Sequence, residues 1–206
     1  ALCRGVYDGT RLMWFQYLTK TLRILDIEQS KMIVQEVVSD NEIPLGSKSV
    51  VTSDGRLFLT GGVDHTDRYL NTLMEYNFQT NRLEYCHPMK HPRALHTAIF
   101  APDKCIYVIG GRFREENVGR DIAYCEKYNL LTEKWETIEN LPRGLHATSA
   151  AIYQSKNCLP NAFLIHCFNG SAGKNVFVYN NNFSKDLPAY EWSKLNVRVP
   201  EKLSNT

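Results

Sequence analysis

Apolar residues in this chain fall in short runs bounded by turn residues, and they almost never recur with the spacing of a helix. Asp103-Lys104-Cys105-Ile106-Tyr107-Val108-Ile109-Gly110-Gly111 is one such run, rich in strand formers and closed by a glycine pair. Asp54-Gly55-Arg56-Leu57-Phe58-Leu59-Thr60-Gly61-Gly62 repeats it 49 residues earlier. Residues 163–170 are a looser third copy ending in Asn169-Gly170. Each run predicts a β-strand that stops where the backbone must turn sharply.

Two further landmarks keep step with the first. Tyr128-Asn129-Leu130-Leu131-Thr132-Glu133-Lys134-Trp135 predicts a strand, a turn and a second strand, and residues 76–83 have the same shape with Leu83 at the tryptophan place. Residues 25–32 are a degenerate earlier copy ending in Met32, and Tyr179 opens a later one. Positions 25, 76, 128 and 179 are separated by 51, 52 and 51 residues. Pro92-Arg93-Ala94-Leu95-His96 matches Pro142-Arg143-Gly144-Leu145-His146 at a distance of 50, and Pro44-Leu45-Gly46-Ser47-Lys48 is a weaker match with a basic group in fifth place.

A period near 50 over four copies, with several short strands in each, predicts an all-β propeller of four-stranded blades. The repeats run over approximately 1–43, 44–91, 92–141 and 142–200. Glycine pairs allow a tight turn and a close approach to a neighbour, and the Tyr and Trp supply flat surfaces for packing blade on blade. No blade can bury its faces alone, so stability comes from stacking.

A β-rich strand ending in Gly-Gly, then Tyr, then Trp seven residues on, then Pro-Arg and His, resembles the kelch repeat. The resemblance spans nearly the whole chain and is strongest over 57–149. It implies a kelch-type β-propeller, and the four blades present imply part of a larger ring of about six. Residues 200–202 stand where a fifth repeat's first strand would begin. In this family the loops between second and third strands, and those leading into the next blade, open on one face that binds partners. On this chain those loops are 63–69, 112–120 and 169–174, with 44–48, 92–96 and 142–146.

The 206 residues are 43% apolar and 11% aromatic, ample for folded cores. With 24 Lys and Arg against 22 Asp and Glu, the net charge of +2 argues against a broad nucleic-acid or acidic-membrane surface. No apolar run approaches a membrane helix, and the first residues lack a signal-peptide stretch. Cysteines at 3, 86, 105, 125, 158 and 167 form no CxxC and lie mostly in apolar runs. They read as buried thiols in a reducing, cytoplasmic protein.

Candidate partner-binding residues are the polar and basic groups of those loops: Lys48, His65, Arg68, Arg93, His96, Arg112, Arg114, Arg143 and His146. Arginines converging from several blades would form a positive pocket suited to an acidic peptide. Residues 89–93 look like the matching loop of kelch-type ubiquitin-ligase adaptors, which hold acidic peptides this way. Alternatively, Pro-Arg-x-x-His recurs because the fold needs it, with Arg paired between blades and His satisfying backbone groups. Arg68, Arg112 and Arg114 break the repeat and are the stronger binding candidates.

The expected function is therefore a non-catalytic interaction module, of the ubiquitin-ligase receptor or the cytoskeletal and ciliary scaffold type. A propeller enzyme acting on a sugar or other small molecule is the alternative, and a perturbed acid–base pair would favour it. Cys86, His87, His91 and His96 lie within eleven residues, but two prolines spread them too widely for a zinc site. Cys86 and His87 would point to opposite faces of a strand, which weakens them as a nucleophile pair. No phosphate loop or GxGxxG is present, and no cofactor is implied.

Overall fold

The computed structural model describes residues 6–115, 118–154, 161–168, 176–183 and 189–195. Cys3, Cys158, the 169–174 loop and residues 200–202 lie outside them. The described residues are strands and connections without helix. They form four antiparallel four-stranded sheets, each a meander in chain order.

Blade 1 is β1 (Val6–Tyr7), β2 (Arg11–Gln16), β3 (Thr21–Asp26) and β4 (Lys31–Glu36). Blade 2 is β5 (Lys48–Val51), β6 (Leu57–Val63), β7 (Tyr69–Asn77) and β8 (Arg82–Tyr85). Blade 3 opens with β9 (Thr97–Phe100) and β10 (Cys105–Ile109). It then inserts the hairpin β11 (Arg112–Glu115) and β12 (Val118–Asp121), and closes with β13 (Cys125–Asn129) and β14 (Lys134–Ile138). Blade 4 is β15 (Ser149–Tyr153), β16 (Phe163–Phe168), β17 (Val176–Asn181) and β18 (Trp192–Leu195). This is a kelch-type β-propeller architecture.

The cores lie between the blades. Met13, Phe15, Leu22 and Ile24 of blade 1 meet Leu57, Leu59, Met74 and Tyr76 of blade 2. Phe58 and Leu73 on the opposite face of blade 2 meet Ile106, Val108 and Tyr128 of blade 3. Tyr107, Ile109 and Cys125 then meet Phe163, Ile165 and Tyr179 of blade 4. Alternation along each strand sends one set of side chains to each neighbour, so both faces are apolar.

The sequence landmarks are stations in this stack. Tyr128 pairs directly with Trp135 across β13 and β14, with ring centroids 5.2 Å apart. The Trp135 indole donates to the His87 carbonyl of blade 2 at 2.7 Å. Trp192 repeats this against Tyr179 and the Glu139 carbonyl. The recurring turn has a local cause: the Asn129 side chain accepts from the amides of Leu131 and Thr132, as Asn77 does from Gln79 and Thr80.

Each glycine pair is clasped between two linkers. The Gly62 amide donates to the Arg93 carbonyl of the following linker, while a Cβ on Gly62 would collide with Pro44 of the preceding one. Gly110 and Gly111 stand in the same way between Leu145 and Ala94, with φ of 59° and 115°. Positive φ and these close approaches together require glycine.

One register differs from the sequence match. Gly46, Leu95 and Ala147 all have positive φ, and the Leu95 amide donates to Gly46 while the Ala147 amide donates to Leu95. These three therefore hold equivalent places, which sets Leu145 where Arg93 stands and Thr148 where His96 stands. The Pro142-Arg143 motif, 50 residues after Pro92-Arg93, is out of phase with a structural repeat of 52 at this linker.

Candidate functional site

The linkers and the loops between second and third strands share one end of the stack. A cleft of about 430 Å³ opens there between the 86–96 linker and the β11–β12 hairpin. Its size is that of a ligand site.

The linker wall is rigid because a buried cation holds it. Arg93 is 0% exposed and pairs with Glu126, itself 1% exposed, on β13. Its fork also donates to the carbonyls of Gly110 at 2.9 Å and Tyr124 at 2.6 Å. Glu126 in turn accepts from the amides of Lys90 and His91. Every charge here is compensated, as burial demands. Burial pulls the Arg93 guanidinium below its ordinary value, although Glu126 opposes that shift.

The hairpin wall is an outgrowth of the same linker. Ala94 and Arg112 exchange backbone hydrogen bonds at 3.0 and 2.8 Å, so β11 starts as a strand beside the linker. Phe113 sits edge-on to Tyr69 of blade 2 at 5.6 Å. At the mouth, His91 stacks on Tyr124 at 4.2 Å, and Phe113, Arg120, Glu115 and Asp121 complete the lining. Burial lowers the His91 pKa below its usual value, with Glu126 opposing, so the imidazole is neutral at pH 7.

Several predicted residues stand beside this cleft, although none of them lines it. Arg114 lies 3.8 Å from Asp67, joining the blade 3 hairpin to the blade 2 loop, and the Arg112 guanidinium lies against Gly119. Arg68 binds Asp64 at 3.1 Å within the 64–68 turn, beside exposed His65. Partial burial pushes the Asp64 carboxyl up, but hydrogen bonds from Thr66 and Arg68 and the Arg68 charge hold it at about 2. His146 lies 2.8 Å from Asp121 at the hairpin's end, and Arg143 is exposed on the same linker.

Three of the predicted residues are placed otherwise. Arg93 is sealed in the wall by its pairing with Glu126 and cannot reach a partner. His96 is buried, with Nε2 2.6 Å from Thr60 Oγ1, and burial holds its pKa well below the usual value. Lys48 lines a concavity of about 200 Å³ bordered by residues at the first strands of the four described blades. The framework alternative for Pro-Arg-x-x-His thus describes the surroundings of Arg93 and His96, both buried and both paired within the fold.

The sequence reading also passed over the interleaved carboxylates Asp64, Asp67, Glu115 and Asp121, and the aromatic pair Phe113 and Tyr124. They were legible: all lie in or beside the loops assigned to the binding face. The uniformly positive mouth becomes a mixed one with an aromatic floor.

Among the described residues, no group of three His, Cys, Asp or Glu side chains is arranged to hold a metal ion. Burial pushes the Cys86 thiol up to about 11, which disfavours the thiolate a nucleophile needs. Cys86, Cys105, Cys125 and Cys167 are free. No helix of the described residues is long and apolar enough to cross a membrane.

A Kelch motif profile matches residues 44–90 and 93–142, which are blades 2 and 3 with their linkers. The chain belongs to the kelch-repeat family. It is 31% identical over 127 residues to the human Kelch repeat and BTB domain-containing protein 3, covering 55% of this chain and 20% of that protein. It is 25% identical over 153 residues to Kelch-like protein 26 of Danio rerio, covering 74% of this chain and 24% of that protein. The matches thus span about a fifth to a quarter of these relatives' lengths. Within this kelch chain, the matched residues include all of the cleft lining except His91 and Pro92, which fall between the two matched repeats.

Proposed function

We propose that this kelch segment is a protein-interaction module whose partner enters the cleft between the 86–96 linker and the β11–β12 hairpin. The cleft itself carries the proposal: a rigid wall, exposed aromatic surface and charged side chains of both signs converge there, the mixture found at binding hot spots. Arg120 in the lining, with Arg112 and Arg114 on the hairpin beside it, favours a peptide with acidic side chains, held by charge-assisted hydrogen bonds. Phe113 and the His91–Tyr124 stack take an apolar side chain between those charges.

The module works without chemistry of its own. The pairing of kelch repeats with a BTB domain in the relatives' names supports a role as the substrate-receiving part of a ubiquitin-ligase adaptor. Affinity capture with the intact chain, compared with Phe113→Ala/Tyr124→Ala, tests the site. Partners retained by the wild type and lost by the variant, at equal melting temperature, support the proposal. Equal retention by both moves binding elsewhere.

A further inference from the structure

Between blades 2 and 3 a further concavity opens, at the end of β13 away from the hairpin. It holds about 400 Å³, with Cys86, Tyr128 and Leu130 along its floor and Tyr85 at its side. That volume is within the range of ligand sites. Cys86, Tyr128 and Leu130 also belong to the cluster that packs these two blades together. Tyr85 keeps 60% of its surface exposed, so it is not spent on that core.

Charge lies on both walls. Arg56 holds Glu75 through two hydrogen bonds of 2.7 Å, with its guanidinium 5.0 Å over the Phe58 ring. Across the groove, Glu133 stands in the β13–β14 turn, exposed, and its carboxylate has no partner among the described residues. Two carboxylates thus face one guanidinium, and Glu84 stands directly opposite Glu75 on β8. Burial pushes the Tyr128 phenol up to about 12, and Glu133 and Glu75 add to that shift while Arg56 opposes it.

The blade framework does not require this chemistry. Leu57, Tyr76 and Leu83 hold the register places that Ile106, Tyr128 and Trp135 hold one blade on. Arg56, Glu75 and Tyr85 therefore correspond to Cys105, Lys127 and Thr137. At that next blade the exposed ring is gone and a lysine stands in the place of Glu75.

We propose that this groove is a cation-accepting site, which takes a lysine or arginine side chain of a basic protein segment between the Tyr85 ring and the Glu133 carboxylate. A cation held over an aromatic face and against a carboxylate gains from both, and neither group must first be freed from another partner. The net charge of +2 gives a polycation no general attraction to the chain, so the preference is local. The groove lies at the far end of β13 from the cleft and stands independently of what the cleft binds.

Isothermal titration of the purified chain with a blocked tetra-arginine peptide tests this. The expected result is saturable binding, weakened about threefold by Tyr85→Ala and by about as much in Glu133→Gln. Glu133→Lys abolishes it, with an unchanged melting temperature because the side chain is exposed. Glu28→Gln, an equal loss of charge at the exposed β3–β4 turn of blade 1, leaves binding as it was. Absence of binding at millimolar peptide overturns the proposal, as does binding that survives Glu133→Lys or ignores Tyr85→Ala. A loss in Glu28→Gln as large as that in Glu133→Gln also overturns it, since the peptide would then be reading bulk charge.

Discussion

Arg93 and Glu126 form an ion pair wholly inside the protein, joining the linker after blade 2 to the third main strand of blade 3. At the equivalent places one blade later stand Leu145 and Phe177, which pack in the same hydrophobic cluster. The same junction is thus built once with charge and once with hydrocarbon.

Removing one partner strands the other, so Arg93→Ala or Glu126→Ala should cost about 3–5 kcal/mol in denaturant unfolding. Arg93→Leu with Glu126→Phe, which copies the next junction, should recover most of that loss. Recovery stays incomplete because the Lys90 and His91 amides lose their acceptor. A double variant no more stable than the singles would show that the junction needs its charges.

Trp135 bridges two blades through its ring and its indole N–H, yet keeps part of its surface in solvent. Trp135→Ala should cost about 3 kcal/mol, the low end for emptying a large aromatic site. A loss below about 1 kcal/mol in urea unfolding would mean the bridge carries little of the stack.

His96 is neutral in the fold because burial holds its pKa far below the usual value, with Arg93 and Lys48 adding to the effect. The unfolded chain takes up a proton below about pH 6.5, and the folded one does not. Stability is therefore full above that pH and falls as pH drops, by about 1.4 kcal/mol per unit. Unfolding measured between pH 7 and pH 5 should show this slope in the wild type. His96→Ser, which copies Ser47 at the equivalent place, should flatten it.

Arg112 and Arg114 project from a hairpin that stands outside the blade proper. Reversing both to Glu should leave the melting temperature within a few degrees and abolish binding of any partner that uses the cleft. Isothermal titration with a captured partner reads the second effect, and thermal unfolding reads the first. Unchanged affinity would remove the arginines from the site.

The blades were legible because their determinants are side chains that recur: the Tyr128–Trp135 pair, the Asn129 turn, the glycine pairs. The linker register was not. Its determinant is a positive φ shared by Gly46, Leu95 and Ala147, three residues with nothing in common as side chains. The proline and arginine that looked alike drew the match two residues out of phase. The hairpin was read as loop because 112–120 breaks the repeat; its strands depend on Ala94, a residue of another motif. The arginines of the site stood out as exceptions to the pattern, whereas the aspartates that temper them had no repeat to break.

The seam between successive linkers is made of main chain, since Leu95 takes the Gly46 carbonyl and Ala147 takes the Leu95 carbonyl. A hitch of this kind is indifferent to which side chain it carries, and the three present residues already differ. Loops on this end of the stack can therefore change their chemistry over generations while the blades stay moored. Proline is the substitution they cannot absorb: at 95 or 147 it would delete the donor and refuse the φ together. Diversification of the side chains this end presents is in that sense built into the backbone.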